Sequence, residues 1–97
     1  METVKPPEHL RFRVADEFDV VPIQAPVKVV SMIIRNTDLS GSVYVSFDGG
    51  KGYWTMSPES TLTVNAPEGM AILIKPDTFK MKGEYSGIQV EILYMEV

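Results

Sequence analysis

Apolar and polar residues alternate with a period of two along most of this chain. Successive side chains of a β-strand point to opposite sides, so this spacing predicts strands with one buried face. Leu10, Phe12 and Val14 alternate with His9, Arg11 and Arg13, which predicts a short amphipathic strand. Val27 to Arg35 is the strongest candidate for a buried strand. Its apolar residues are Val27, Val29, Val30, Met32, Ile33 and Ile34, and five of these six are β-branched. Val43, Val45 and Phe47 alternate with Tyr44 and Ser46, and Leu62 and Val64 alternate with Thr61 and Thr63. Met70, Ile72 and Ile74 form a further strand, and Ile88, Val90, Ile92 and Tyr94 share one face of the last. Phe79 to Tyr85 has no clear period.

Turn chemistry separates these runs. Residues 36–41, 57–60, 65–69 and 75–77 are rich in Gly, Pro, Asn, Asp and Ser. Asp48, Gly49 and Gly50 tolerate positive φ, as a hairpin turn requires. No segment sustains a 3.6-residue period. The expected fold is all-β: a small antiparallel β-sandwich or barrel, jelly-roll or immunoglobulin-like. Its expected core contains Phe12, Val29, Ile33, Val43, Val45, Leu62, Ile72, Ile74, Val90 and Ile92. Pro6 and Pro7 favour an extended N-terminal arm over residues 1–8, ahead of a single domain over 9–97. Pro22 and Pro26 keep the stretch between them irregular or at a sheet edge.

Composition narrows the partners. With 97 residues, 44% of them apolar, the chain can build one modest core. A net charge of -4 argues against nucleic acid and against an anionic membrane surface, both of which call for a basic footprint. The chain has no cysteine, which excludes disulfides and thiolate chemistry and favours a reducing compartment. No apolar run approaches the ~20 residues that span a bilayer. Residues 1–7 contain no apolar signal-peptide region, so synthesis in the cytosol of the producing cell is expected.

No residue pattern points to catalysis, a cofactor or a metal. His9 is the only histidine, and between Glu8 and Leu10 near the N-terminus it reads as an exposed strand residue. One histidine and no cysteine leave a typical transition-metal site short of donors. Asp16, Glu17 and Asp19 are oxygen donors of the kind a hard cation takes, but they lack EF-hand spacing and read as a solvated connection. Gly49-Gly50-Lys51-Gly52 lacks the spacing of a phosphate loop. Tyr44, Tyr53 and Trp54 are the best functional candidates, as protein-interface anchors or as a sugar-stacking platform. Tyr53 and Trp54 are adjacent and so face opposite ways. Trp54 is expected in or beside the core, with Tyr53 exposed or at an interface.

Two resemblances follow from these residues. Ser46-Phe47-Asp48-Gly49-Gly50-Lys51-Gly52-Tyr53 resembles the Asp-box, Ser-x-Asp-x-Gly-x-Thr-Trp, matching at Ser46, Asp48 and Gly50. Gly52 stands where Thr is usual, and Tyr53 where the final aromatic falls. In that motif the Asp caps a hairpin, which implies a structural role for Asp48. From Val27 to Met95 the chain also resembles small β-sandwich virion proteins of tailed bacteriophages. The likeness is carried by Ile33-Ile34-Arg35-Asn36-Thr37, Val43-Tyr44-Val45-Ser46-Phe47-Asp48-Gly49-Gly50, Ser60-Thr61-Leu62-Thr63-Val64 and Ile72-Leu73-Ile74-Lys75. It implies a non-enzymatic, capsid-decorating or accessory head or tail subunit, located in the virion and made in the host bacterial cytoplasm. Its partners would be virion proteins and further copies of itself, as a dimer or trimer, with Pro6, Pro7, Tyr44, Tyr53 and Trp54 as the candidate interface. The alternative is a carbohydrate-binding module that uses the exposed Tyr and Trp residues.

Overall fold

A computed structural model describes residues 6–24 and 26–97. These residues form nine strands, β1 (Glu8–Val14), β2 (Asp19–Val20), β3 (Val27–Asn36), β4 (Val43–Ser46), β5 (Trp54–Met56), β6 (Thr61–Asn65), β7 (Ile72–Ile74), β8 (Lys80–Gly83) and β9 (Ile88–Glu96), of which β2 and β8 fall where the sequence shows no alternation. They form two antiparallel sheets. One has the order β1-β9-β3-β6, with β7 also paired to β3, and the other has the order β2-β8-β4-β5. No helix occurs among the described residues. The two sheets enclose one apolar core, as a small β-sandwich does. Of the expected arm, residues 1–5 lie outside the described residues. Pro6 and Pro7 are exposed, and Glu8 already belongs to β1, opposite Tyr94.

The central strand β3 does not keep one alternation. Val27 and Val29 point inward, and then Met32, Ile34 and Asn36 do. The switch lies at Val30. Val29 pairs with Glu96 and Ser31 with Met95, so β3 spends two residues where β9 spends one. This is a β-bulge, and one extra residue turns every later side chain to the opposite face. The inward residues of β9, from Ile88 to Tyr94, therefore stay in phase with both halves of β3. Six of the ten expected core residues are buried: Val29, Val43, Val45, Ile74, Val90 and Ile92. Phe12, Leu62 and Ile72 are partly buried against the core. Ile33 is the correction. The bulge puts it on the outer face, 37% exposed, while its neighbour Ile34 is fully buried.

The unpatterned segment at 79–85 also contributes to the core. Phe79 is among the largest fully buried side chains, and its ring stacks on Phe47 at 4.9 Å. Lys80–Gly83 forms β8, which joins β2 to β4. One buried polar side chain closes the end of the sandwich. The Asn36 amide nitrogen donates to the carbonyls of Gly41 (2.9 Å), Ser57 (3.1 Å) and Met56 (3.3 Å), and its oxygen accepts from the Asp38 amide at 3.0 Å. These bonds satisfy the buried amide of Asn36 and tie β3 to the chain ahead of β4 and at the end of β5, at this end of the sandwich.

The bulge makes adjacent isoleucines respond differently. Ile34→Ala removes a fully buried side chain and should cost roughly 2–4 kcal/mol in urea unfolding, whereas Ile33→Ala should cost less than about 1 kcal/mol. Equal costs at the two positions would contradict the register.

Candidate functional site

The β4–β5 hairpin carries the largest group of exposed aromatics, and local polar bonds fix its turn. The Ser46 hydroxyl, fully buried, donates to Asp48 Oδ1 at 2.8 Å and accepts from the Gly50 amide at 2.8 Å. The Gly52 amide donates to Asp48 Oδ1 and Oδ2 at 2.9 and 3.1 Å. The Gly49 amide donates to the Thr78 carbonyl at 2.9 Å and so ties the turn to the segment before β8. Gly49 and Gly50 have φ of 81° and 100°, which suits residues without Cβ. A Cβ on Gly50 would sit 3.4 Å from the Phe18 ring, so the turn and the chain ahead of β2 pack closely. Asp48 thus serves as the cap of the turn. The Gly52 amide, and then the Ser46 hydroxyl, hold its carboxyl below the ordinary value.

Beside this turn, on the outer face of the four-stranded sheet, three rings surround one cation. Lys82 is the register partner of Tyr44 on the neighbouring strand. Its ammonium lies 5.0 Å from the Phe18 ring, 5.2 Å from Tyr44 and 5.9 Å from Tyr53. Tyr53 in turn meets Tyr44 edge-on at 5.4 Å and Phe18 at 5.7 Å. Cation–π contacts of this kind contribute about 0.5–1 kcal/mol each at exposed sites. The chain therefore fills its own aromatic cage, and the cage fixes the Tyr53 ring.

The structure brings Tyr44, Tyr53 and Trp54 to one hairpin and adds Phe18 and Lys82, which sequence reasoning did not single out. Pro6 and Pro7 are not part of this group. They lead into β1, an edge strand of the other sheet. Trp54 is not in the core. It pairs with Val45, which is buried, yet it is 64% exposed itself. β5 is a three-residue edge strand, and nothing in the opposing sheet covers its first residue. Tyr53, just ahead of β5, is 54% exposed, so both adjacent rings reach solvent. With Phe47, Asp48 and Gly52 they line a shallow cleft of about 390 Å³.

The remaining polar candidates have structural surroundings. His9 lies exposed on β1, its Nε2 3.8 Å from Glu91 Oε2. Among the described residues no three His, Asp or Glu side chains gather as metal donors, and Asp19 instead accepts from the Val20 amide at 2.8 Å. Asp38 accepts from the amides of Ser40 (3.2 Å) and Gly41 (2.6 Å) and from the Tyr85 hydroxyl. The Tyr85 bond, and then that of Gly41, lower the Asp38 carboxyl, and the same contact raises the Tyr85 phenol.

Fold and site together define a small β-sandwich that displays aromatic side chains on a braced hairpin. Comparison with family models, with curated proteins and with solved structures finds no match to this chain.

Asp48 and Asp38 predict an acid-sensitive fold. Each carboxyl titrates lower when folded than its ordinary value of 3.8. Their stabilisation is therefore complete above that value and is lost as pH falls through the folded value. Asp48→Ala should lower the melting temperature at pH 7, and the gap to the native chain should close in thermal scans taken toward pH 2. A gap that widens in acid would contradict the cap.

Proposed function

We propose that this chain is a non-enzymatic structural subunit of a tailed-phage particle, a capsid-decorating or accessory head or tail protein that works through protein contacts. The observation that carries the reading is the exposed Tyr53–Trp54 pair on a turn with no freedom to collapse. Tyr and Trp are enriched among interface anchors, because each buries a large area while fixing only two side-chain torsions. A rigid display lowers the ordering cost of binding. The β-sandwich fold and the likeness of the chain's sequence runs to small virion proteins support this reading, and the acidic net charge suits partners other than nucleic acid. In it the partners are virion proteins and further copies of the chain, and the chain resides in the virion after synthesis in the host cytoplasm. Nucleic acid and membrane play no part.

A carbohydrate-binding role is the second reading. It is favoured by the cleft in which Trp54 and Tyr53 stand beside the Asp48 carboxylate. Sugar sites combine an aromatic face with polar acceptors in this way.

Tyr53→Ala with Trp54→Ala separates the outcomes. The double variant should keep its fold with a small drop in melting temperature from the lost Tyr53 contacts to Lys82, Tyr44 and Phe18, since both side chains are more than half exposed. It should lose at least about tenfold in co-sedimentation with tailed particles that lack the native protein, as expected when central aromatic anchors are removed. Attachment should depend weakly on salt, because no row of counterions is released. Undiminished attachment would remove the hairpin from the interface. Capture of the native chain by a glycan array, lost in the double variant, would establish the carbohydrate reading instead.

A further inference from the structure

The outer face of the five-stranded sheet differs in chemistry from the rest of this acidic chain. Its register rows place His9, Leu93, Ile33 and Thr63 side by side, and Arg11, Glu91, Arg35 and Thr61 next to them. The bulge at Val30 exposes Ile33 here, beside exposed Leu93. With His9, Arg35 and Glu91 they line a dip of about 320 Å³ with an apolar floor. Three arginines, Arg11, Arg13 and Arg35, stand on this face against the single carboxylate of Glu91. Glu91 is already engaged by Arg11 at 3.2 Å, and His9 lies 3.8 Å away. Arg13 donates to the Gly87 carbonyl at 2.9 Å. The Arg35 side chain makes no ion pair or hydrogen bond among the described residues. The site therefore offers an unpaired guanidinium at the rim of an apolar floor. Arginine in this setting suits a planar carboxylate carried on an apolar body. A polyphosphate fits poorly, because the floor is apolar and one open guanidinium does not match several charges.

The same sheet presents the complementary shape. Between β6 and β7 the chain leaves the edge as a tight loop, closed by the Met70 amide donating to the Pro67 carbonyl at 2.9 Å. Its tip carries Glu68, exposed and without a partner among the described residues, and Met70, 62% exposed. Met is flexible and polarizable and adapts to irregular apolar surfaces. A carboxylate and an apolar side chain two residues apart match a guanidinium beside an apolar dip. Symmetric stacking of two arginine-bearing faces is opposed by like charge, so a contact through this face must bring acid to base.

We propose that the outer face of the five-stranded sheet receives the Pro67–Met70 loop of a second copy of this chain, with Met70 on Ile33 and Leu93 and Glu68 on Arg35. The contact deepens the assembly reading given above by naming the surfaces through which copies meet. One loop in one dip buries less than the ~1,200 Å² of a stable dimer, so association in dilute solution is weak. It strengthens where copies are crowded on a common surface.

Sedimentation equilibrium of the full chain up to about 1 mM, a concentration that reveals the weak class of interface, tests the contact by charge exchange. The native chain should self-associate. Arg35→Glu or Glu68→Arg alone should each weaken association at least about tenfold, the scale of one lost charge pair, and the two together should restore it. Met70→Ser should weaken association with an unchanged melting temperature, since the residue is exposed. A native chain that stays monomeric at 1 mM overturns the proposal, as does association indifferent to Arg35→Glu. Failure of the double exchange to restore it also overturns the proposal, because copies would then associate through another pairing. A monomeric chain that still binds particles through Tyr53 and Trp54 loses only the copy-to-copy contact. A chain that self-associates through the charge pair but binds no particle loses only the virion reading.

Discussion

The single extra residue at Val30 is the constraint on which the rest of the sandwich depends. β3 is the strand with most partners: β9 runs along one side, and β6 and β7 share the other. Its first half must turn Val27 and Val29 inward against Ile74 and Ile72. Its second half must turn Met32 and Ile34 inward against Val64 and Leu62. These sets differ by an odd number of positions, so no regular strand satisfies both. The bulge reconciles them, and in doing so it decides what lies outside. Ile33 is expelled to the solvent face, and Asn36 is drawn inside, where its amide closes the corner. A regular β3 would bury Ile33 and Arg35 instead, at the cost of desolvating a guanidinium without a partner.

The edges are handled by geometry as well. β6 and β7 continue one another along β3, but the Pro67–Met70 loop interrupts them, so the combined edge offers no long flat row of free amides. β5 is only three residues long. Short and broken edges discourage indiscriminate strand addition. The hairpin leading into β5 is at the same time braced by side-chain hydrogen bonds. Ser46 and Asp48 take up its amides, and Lys82 holds Tyr53 among three rings. Rigid presentation of aromatic surface next to a guarded edge directs contact to side chains rather than backbone.

Period-two alternation made most strands legible, because burial on one face leaves a direct imprint on residue type. The tandem isoleucines defeated it. Val29, Val30, Met32, Ile33 and Ile34 are all apolar, and apolarity on both faces hides the phase that would reveal a bulge. Phe79 was missed for a related reason. It is buried just ahead of β8, where a short strand with Lys80 and Lys82 on its outer side shows too few apolar positions to set a period. Trp54 was misplaced because adjacency fixes which way a side chain points, not whether the other sheet reaches far enough to cover it. The turn at Asp48 was readable, since its bonds are local in sequence. The Lys82 cage was not, because Phe18, Tyr44, Tyr53 and Lys82 come from four separate segments.

The two outer faces also differ in how they handle positive charge, and this bears on how copies meet. On the four-stranded sheet the Lys82 ammonium is absorbed by ring faces within its own chain. On the five-stranded sheet Arg35 is left open at the rim of an apolar dip. A net charge of -4 repels copies at separations within the ~8 Å screening length of physiological salt, so random collisions are unproductive. An approach that sets the acidic loop against the arginine face replaces that repulsion with attraction. In the proposed contact the sign pattern would favour that orientation before any apolar area is buried. Because loop and dip are different surfaces of the chain, the copy-to-copy contact proposed above would be head-to-tail, a kind of contact that forms rings or open chains and not a closed pair.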